Sequence, residues 1–393
     1  MAQQINLRVF KDFFKSSNAG GMLLFMCVIM SLLLANSPWA MSLQNLLDTG
    51  FGYENDTIHL NYSLLLWIND GLMAIFFLLV GLEIKREIVE GELSSPKKAS
   101  LPILCAIGGA IVPAIIYLSI NAGRATAGGW GIPMATDIAF ALAVIGLLGN
   151  RIPASLKIFL AALAIVDDLI AILVIAFFYS SGIHGTYLLY AAIGVLVLIA
   201  MNRFNVRNPY LYLIPGVFIW YFIHHSGIHA TIAGVLVAMT IPTNDTAVES
   251  PLERLEHALT KPVNFIIIPL FAFANTNITL TSDMFAGLTS PLGLGVGLGL
   301  LCGKPIGILI TSLVCTKTKI SALPAGSSWS HIVGVGLLAG IGFTMSIFIA
   351  ILSFDDPYHI AEAKLAILVT SLLAGVVGYL LLRKVGSAAK MNG

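Results

Sequence analysis

The chain has 393 residues and a net charge of +1; 58% of it is hydrophobic and only 10% is charged, giving a mean hydropathy of +0.91. A soluble domain carries about a quarter charged residues, so this composition excludes a cytosolic enzyme, a nucleic-acid binder and a disordered scaffold. The near-zero net charge gives no basis for a polyanionic partner.

Unbroken apolar runs point to helices, where barrel strands would alternate, and the fold class read from them is an all-α polytopic membrane protein. In chain order the runs predict twelve spans, at about 20–36, 63–83, 99–120, 127–148, 155–178, 186–201, 209–225, 228–241, 262–276, 291–315, 329–352 and 364–383. The basic stretch Leu7–Lys15 reads as a retained surface helix ahead of the first span, since no small-residue cleavage site ends the apolar run. The loop Asn36–Tyr62 is acidic and free of Lys and Arg. The loop Pro242–Lys261 carries Asp245, Glu249, Glu253, Arg254, Glu256 and His257, enough for a short polar helix. Cys27, Cys105, Cys302 and Cys315 all sit in apolar runs and read as small buried hydrophobes.

Charge placement tests the count. With the N-terminus cytoplasmic, 18 of the 21 Lys and Arg residues fall in cytoplasmic segments; Arg124 and Lys364 lie opposite and Lys304 within a span. This asymmetry is the positive-inside pattern, and it places both termini in the cytoplasm.

Four ionisable residues fall where they are expensive. Asp137, Asp167, Asp168 and Lys304 lie near the middle of the fourth, fifth and tenth spans, where each costs about 2.5–3.5 kcal/mol on insertion scales. A purely structural ion pair is a poor account of two adjacent carboxylates. Successive helical residues differ by about 100° in azimuth, so one can meet an ammonium while the other faces a wet cleft. Such a pair titrates as a coupled unit, and its oxygens suit a hard cation. Proton and cation then compete for the same atoms, which is the minimum chemistry of antiport.

Two segments look broken. The fourth contains Gly128-Gly129-Trp130-Gly131-Ile132-Pro133 ahead of Thr136 and Asp137, and the eleventh contains Gly340-Ile341-Gly342-Phe343-Thr344. Small residues at helix contacts are one explanation. A pair of discontinuous helices in an inverted repeat is the sharper one, with breaks expected at Gly131, Pro133, Gly340, Gly342 and Thr344. Asp137 and Lys304 then have the right charges to offset converging helix ends.

Ala135-Thr136-Asp137-Ile138-Ala139-Phe140-Ala141, Val166-Asp167-Asp168-Leu169, Gly303-Lys304-Pro305 and Gly340-Ile341-Gly342-Phe343-Thr344 resemble the signatures of the bacterial NhaA sodium/proton antiporters. The resemblance runs through essentially the whole chain. It implies twelve transmembrane helices with inverted repeats and two interrupted, crossed helices, the fourth and eleventh. The whole chain, 1–393, forms one transmembrane transporter domain on this reading, with a core bundle at about 99–178 and 291–383 and an interface region at about 20–83 and 186–276.

It further implies electrogenic export of Na⁺ or Li⁺ in exchange for external protons, activated at alkaline pH and controlling intracellular pH and sodium. Asp168 is then the principal carboxylate for Na⁺ and H⁺, Asp167 supports it and pairs with Lys304, Thr136 lends an oxygen, and Asp137 balances helix termini. A pH response is implied for Glu83, Lys85, Arg86, Glu87, Glu253, Glu256, His257 and His229. No cofactor, nucleic acid or organic substrate is implied; the transported ions are Na⁺ (Li⁺) and H⁺. The partners are the lipid bilayer of the bacterial cytoplasmic membrane and a second copy, joined through a hairpin that Phe51–Asn61 would supply.

Other polar residues have plainer readings. Asp70 lines an exit funnel or is a paired or snorkelling carboxylate. His224, His225 and His229 cluster at an external interface without further ligands at metal spacing. Rival functions fit less well: an aspartic hydrolase needs carboxylates converging from separate segments, and a passive channel needs a filter-like loop.

Overall fold

In the computed structural model, the structure describes residues 7–55, 59–180, 182–243 and 249–391. Asp245 and residues 56–58, part of the hairpin expected at Phe51–Asn61, lie outside the described residues, as do the side chains of Arg8, Lys11, Lys15 and Lys390.

The described chain is helical apart from one short hairpin. In order it forms α1 (Leu7–Ala35), α2 (Ala40–Asp48), β1 (Gly50–Phe51) and β2 (Tyr62–Ser63). Next come α3 (Leu64–Val89), α4 (Pro96–Asn121), a 3-10 helix (Ala125–Met134), α5 (Ile138–Leu147) and α6 (Ala154–Phe178). Then follow α7 (Gly185–Arg203), α8 (Tyr210–His225), α9 (Ile232–Thr240) and α10 (Pro251–Asn275). The chain ends with α11 (Ser282–Gly287), α12 (Pro291–Lys317), α13 (Trp329–Ala339), α14 (Phe343–Ser353) and α15 (Pro357–Met391). Among the described residues, seven helices are long and apolar enough to cross a membrane, or up to ten if each bent pair is one span.

Several boundaries differ from expectation for physical reasons. The surface helix expected at Leu7–Lys15 is not a separate element, because α1 runs unbroken to Ala35. The eighth run yields only the nine residues of α9, about 13 Å of helix. The polar helix expected in the loop before the ninth run is continuous with it as α10. Pro262 has no N–H to return to Ala258, and the helix loosens into a π turn at Val263–Ile267 without ending. The hairpin expected over Phe51–Asn61 begins one residue wider: Gly50 pairs with Ser63, Phe51 with Tyr62 and Glu54 with His59, all antiparallel.

The chain divides into two compact units. The first comprises Met1–Met26, Ser100–Asp167 and Ser282–Gly393. Inside it α4 and α12 touch backbone to backbone: a Cβ on Gly307 would lie 2.2 Å from the carbonyl oxygen of Gly108. With lipid on the outside there is little hydrophobic drive between helices, so such close approach supplies the packing. The second unit comprises Cys27–Ala99 and Asp168–Thr281. Here α9 lies in contact with α3, where Gly234 faces the carbonyl of Ala74. Leu78, Leu82, Leu198, Tyr212, Ile219 and Val237 form its buried apolar cluster.

Candidate functional site

The site is built in the first unit from two interruptions. The 3-10 helix gives way to extended residues at Ala135 and Asp137 before α5 starts, a bend of 42°. Gly340–Gly342 separates α13 from α14 with a bend of 47°.

Gly131 and Pro133, expected at the break, lie inside the 3-10 helix instead. Proline's fixed φ suits that winding, and the glycines serve close packing: a Cβ on Gly129 would lie 2.5 Å from Tyr117 Oη. Gly340 and Gly342 do flank the second break. A Cβ at Gly340 would come within 2.4 Å of the Leu300 carbonyl. Thr344 is not in the break but in the first turn of α14.

The two breaks are bonded to each other. Asp137 N–H donates to the Ile341 carbonyl at 2.6 Å, and Thr136 Oγ1 donates to the Ala339 carbonyl at 2.7 Å, the last of α13. Asp137 Oδ1 accepts the Phe140 N–H at 3.0 Å, capping α5. Its Oδ2 accepts both the N–H and the hydroxyl of Thr344, at 3.1 and 2.5 Å. One carboxylate therefore faces the positive ends of two helices.

Lys304 meets the opposite polarity. It follows a π turn at Gly299–Gly303, and Pro305 has no N–H to return to Leu301. Its ammonium donates to Thr136 Oγ1 at 2.8 Å and to Asp167 Oδ2. Ala339, the other partner of the Thr136 hydroxyl, ends α13, so the positive charge lies by a helix C-terminus. Lys304 and Thr136 are fully buried, and Asp167 and Asp168 are each 1% exposed. An isolated charge at such a place costs several kcal/mol, and a well-bonded counter-charge is what makes it tolerable. Asp168 follows Asp167 on α6, its azimuth turned by about 100°. Asp167 Oδ2 and the Thr136 hydroxyl thus converge on one ammonium inside the first unit, and carboxylate and hydroxyl oxygens are donors of the class that hard cations take. No cluster of three or more His, Cys, Asp or Glu among the described residues is arranged to hold a metal ion.

The residues implied in a pH response fall into separate places in the second unit. Arg86 pairs with Glu256 at 2.6 Å and with Glu87 at 3.3 Å, and the charge of Glu83 acts on the same group. Lys85 donates to the carbonyls of Met239 and Ile241, at the end of α9. Glu253 forms a reciprocal cap with Ser250 at the start of α10, and exposed His257 meets Glu249 at 3.1 Å. His229 stands apart from them all: its Nε2 lies 3.8 Å from Asp70 Oδ1, and His224 Nδ1 lies 3.2 Å from Asp70 Oδ2. Asp70 is thus a paired carboxylate.

Sequence reasoning missed several contributors. The Ala339 and Ile341 carbonyls have no signature, since any residue supplies one. Ser346, whose hydroxyl holds the Ile132 carbonyl at 2.7 Å, was legible only as a hydroxyl four residues past Gly342.

Comparison with known proteins agrees over almost the full length. The family described as Na⁺/H⁺ antiporter 1 matches residues 11–382. A protein of Flavobacterium johnsoniae named Na⁺/H⁺ antiporter NhaA 2 is 59% identical over 97% of this chain and 94% of its own. The Na⁺/H⁺ antiporter NhaA of Flavobacterium psychrophilum is 50% identical over 96% of both chains. That of Shewanella amazonensis is 48% identical over 96% of this chain and 97% of its own. With its two bonded breaks and buried Asp167–Lys304 pair, the chain belongs to the Na⁺/H⁺ antiporter 1 family.

Proposed function

We propose that the protein is a secondary transporter, with no enzymatic step, that exports Na⁺ or Li⁺ from the cytoplasm in exchange for external protons. The observation that carries this reading is the buried Asp167–Lys304 pair beside Asp168 in a chain of this family. Asp168 is the principal carboxylate, holding either a proton or Na⁺. Asp167 is shared between Lys304 and the incoming cation, so Na⁺ draws on an oxygen set that the ammonium otherwise occupies. Thr136, already bonded to Lys304, adds a neutral oxygen. Asp137 stays a cap and carries no ion.

The exchange is electrogenic: two protons entering for each Na⁺ leaving moves one net charge, worth about 2.3 kcal/mol per 100 mV. Activity rises at alkaline pH because protons are displaced from the carboxylates that Na⁺ needs, with Glu83, Lys85, Arg86, Glu87, Glu253, Glu256, His257 and His229 responding at the second unit's charged ends.

The architecture that serves this function has twelve spans in inverted repeats, with the 3-10 helix–α5 and α13–α14 pairs as crossed, interrupted helices. The core bundle at about 99–178 and 291–383 carries the ion, and the region at about 20–83 and 186–276 forms the interface. The hairpin near Phe51–Asn61 joins two copies in the bacterial cytoplasmic membrane, with both termini cytoplasmic. A Na⁺ pulse to proteoliposomes tests the exchange: it produces a luminal pH change that depends on Asp168. Passive cation flux without proton movement would replace the reading with a channel.

A further inference from the structure

At the far end of the 3-10 helix, three buried side chains of the first unit close a hydrogen-bonded knot. Thr126 Oγ1 donates to Asn121 Oδ1 at 2.7 Å, and Tyr117 Oη donates to the Thr126 carbonyl at 2.7 Å. Asn121 Nδ2 donates onward to the Pro291 carbonyl at 2.8 Å and to the Tyr117 carbonyl at 3.2 Å. Two glycines let the parts close. Besides the Gly129 contact with Tyr117, a Cβ on Gly295 would lie 2.5 Å from Asn121 Nδ2. The knot therefore ties α4, the second residue of the 3-10 helix and the first residue of α12.

Both tied segments lead to the ion site. From Thr126 the chain runs ten residues to Thr136, mostly as 3-10 helix, a length of about 20 Å at roughly 2.0 Å per residue. From Pro291 it runs thirteen residues to Lys304, also about 20 Å at roughly 1.5 Å per residue. Two arms of equal length leave one anchor, and their tips meet where Lys304 Nζ donates to Thr136 Oγ1. A displacement of either arm at the knot is carried along its axis to that contact.

We propose that Tyr117, Asn121 and Thr126 are positioning residues that set the register of Thr136 against Lys304 and, through it, the affinity for Na⁺. The inference rests on the Na⁺/H⁺ exchange reading and adds to it a remote determinant of affinity. None of the three side chains touches the ion. Losing one bond leaves the charges of the site intact but lets the two arms slip, so the Lys304–Asp167 pair is offered to Na⁺ in a less favourable arrangement.

The test compares Thr126→Val, Tyr117→Phe, Thr126→Ser and Ser312→Ala in the full chain. Ser312 is the control, a buried hydroxyl of the same unit whose partner is Cys105 at 3.1 Å. Two quantities are read: the NaCl concentration that half-maximally raises the thermal midpoint in detergent, with choline chloride as reference, and the apparent Na⁺ KM of exchange in proteoliposomes. Thr126→Val and Tyr117→Phe are expected to raise both by about three- to tenfold, with the maximal rate within about twofold of the parent. Thr126→Ser restores the parent values, and Ser312→Ala leaves them unmoved whatever it does to the Na⁺-free midpoint.

Lower thermal midpoints with unchanged Na⁺ dependence would overturn the proposal and leave the knot as packing alone. Should Thr126→Val not be recovered from membranes, Tyr117→Phe keeps the ring and decides on its own. A parent protein that exchanges, with variants that bind Na⁺ as it does, refutes the knot only; a parent that moves no protons on a Na⁺ pulse refutes the exchange reading and the knot's role with it.

Discussion

Asp137 meets Thr344 twice, at its N–H and at its hydroxyl, while its other oxygen still caps Asp137's own helix through Phe140 N–H. A single side chain thus serves the first turns of α5 and α14. A cap is worth about 0.5–2 kcal/mol, and a negative charge near a helix N-terminus about 0.3–1 kcal/mol. Asp137→Asn keeps one acceptor but turns an amide toward Thr344 and removes the charge from both ends. It is expected to cost about 2 kcal/mol, lowering the thermal midpoint in detergent by a few degrees. An unchanged midpoint would mean that the two breaks are held together by their other bonds.

Asp167→Asn and Asp168→Asn are each expected to abolish Na⁺-driven proton movement in everted vesicles while the protein still inserts. In the first, Lys304 loses its counter-charge; in the second, the carboxylate proposed as the principal proton and Na⁺ carrier is gone. Retained exchange in Asp168→Asn would remove the assignment of that residue.

Lys304→Arg should retain more transport than Lys304→Ala. Lys304 is fully buried next to Asp167 and the end of α13, so the alanine variant leaves a buried carboxylate uncompensated, whereas arginine keeps the charge with a broader head. Equal defects, measured as initial rates at saturating Na⁺, would assign the ammonium itself a part in proton transfer.

If H⁺ and Na⁺ compete for the same oxygens, as proposed, the sign of the pH dependence is fixed. Lowering pH raises the protonated fraction of the site, so the apparent Na⁺ KM rises, at most about tenfold per pH unit per competing proton. Proteoliposome rates measured across pH and Na⁺ concentration check this. A constant KM with only the maximal rate changing would point to a separate gate.

Arg86 is the counter-charge for Glu256 in the second unit, with Glu87 beside it. Arg86→Gln strands the Glu256 carboxylate and is expected to cost about 2 kcal/mol, while Arg86→Gln/Glu256→Gln recovers much of it by removing both charges. Thermal midpoints of Arg86→Gln, Glu256→Gln and the double variant decide; a double variant as unstable as the sum of the two singles would show that the pair is not coupled.

The apolar runs and the placement of charge made the membrane class legible, because composition alone leaves such a chain nowhere else to fold. That Lys304 would meet one of the mid-span carboxylates followed from the expense of such charges; that its partner is Asp167 was implied only by the family resemblance. The position of the first break did not follow. Gly131 and Pro133 looked like its cause, yet their shape permits a tight helix and the chain opens only after Met134. Thr344 was marked for its place in a glycine-rich stretch, whereas its use is to bond Asp137. Backbone acceptors such as Ala339 and Ile341 carry no mark in a sequence, and the knot at Tyr117, Asn121 and Thr126 joins positions 170 residues apart. The local partners of the residues implied in a pH response were not legible either: the structure shows a cap at Glu253, ion pairs at Arg86 and a separate Asp70–His224–His229 cluster. Side-chain type was readable, but partners set by tertiary packing were not.

The most direct measurement is the luminal pH change evoked by a Na⁺ pulse in proteoliposomes, repeated under an imposed membrane potential. A proton flux that reverses with the Na⁺ gradient, shifts with voltage and vanishes in Asp168→Asn is the expected result. Sodium entry without any counter-movement of protons, or exchange that persists once Asp168 is replaced, would contradict the account.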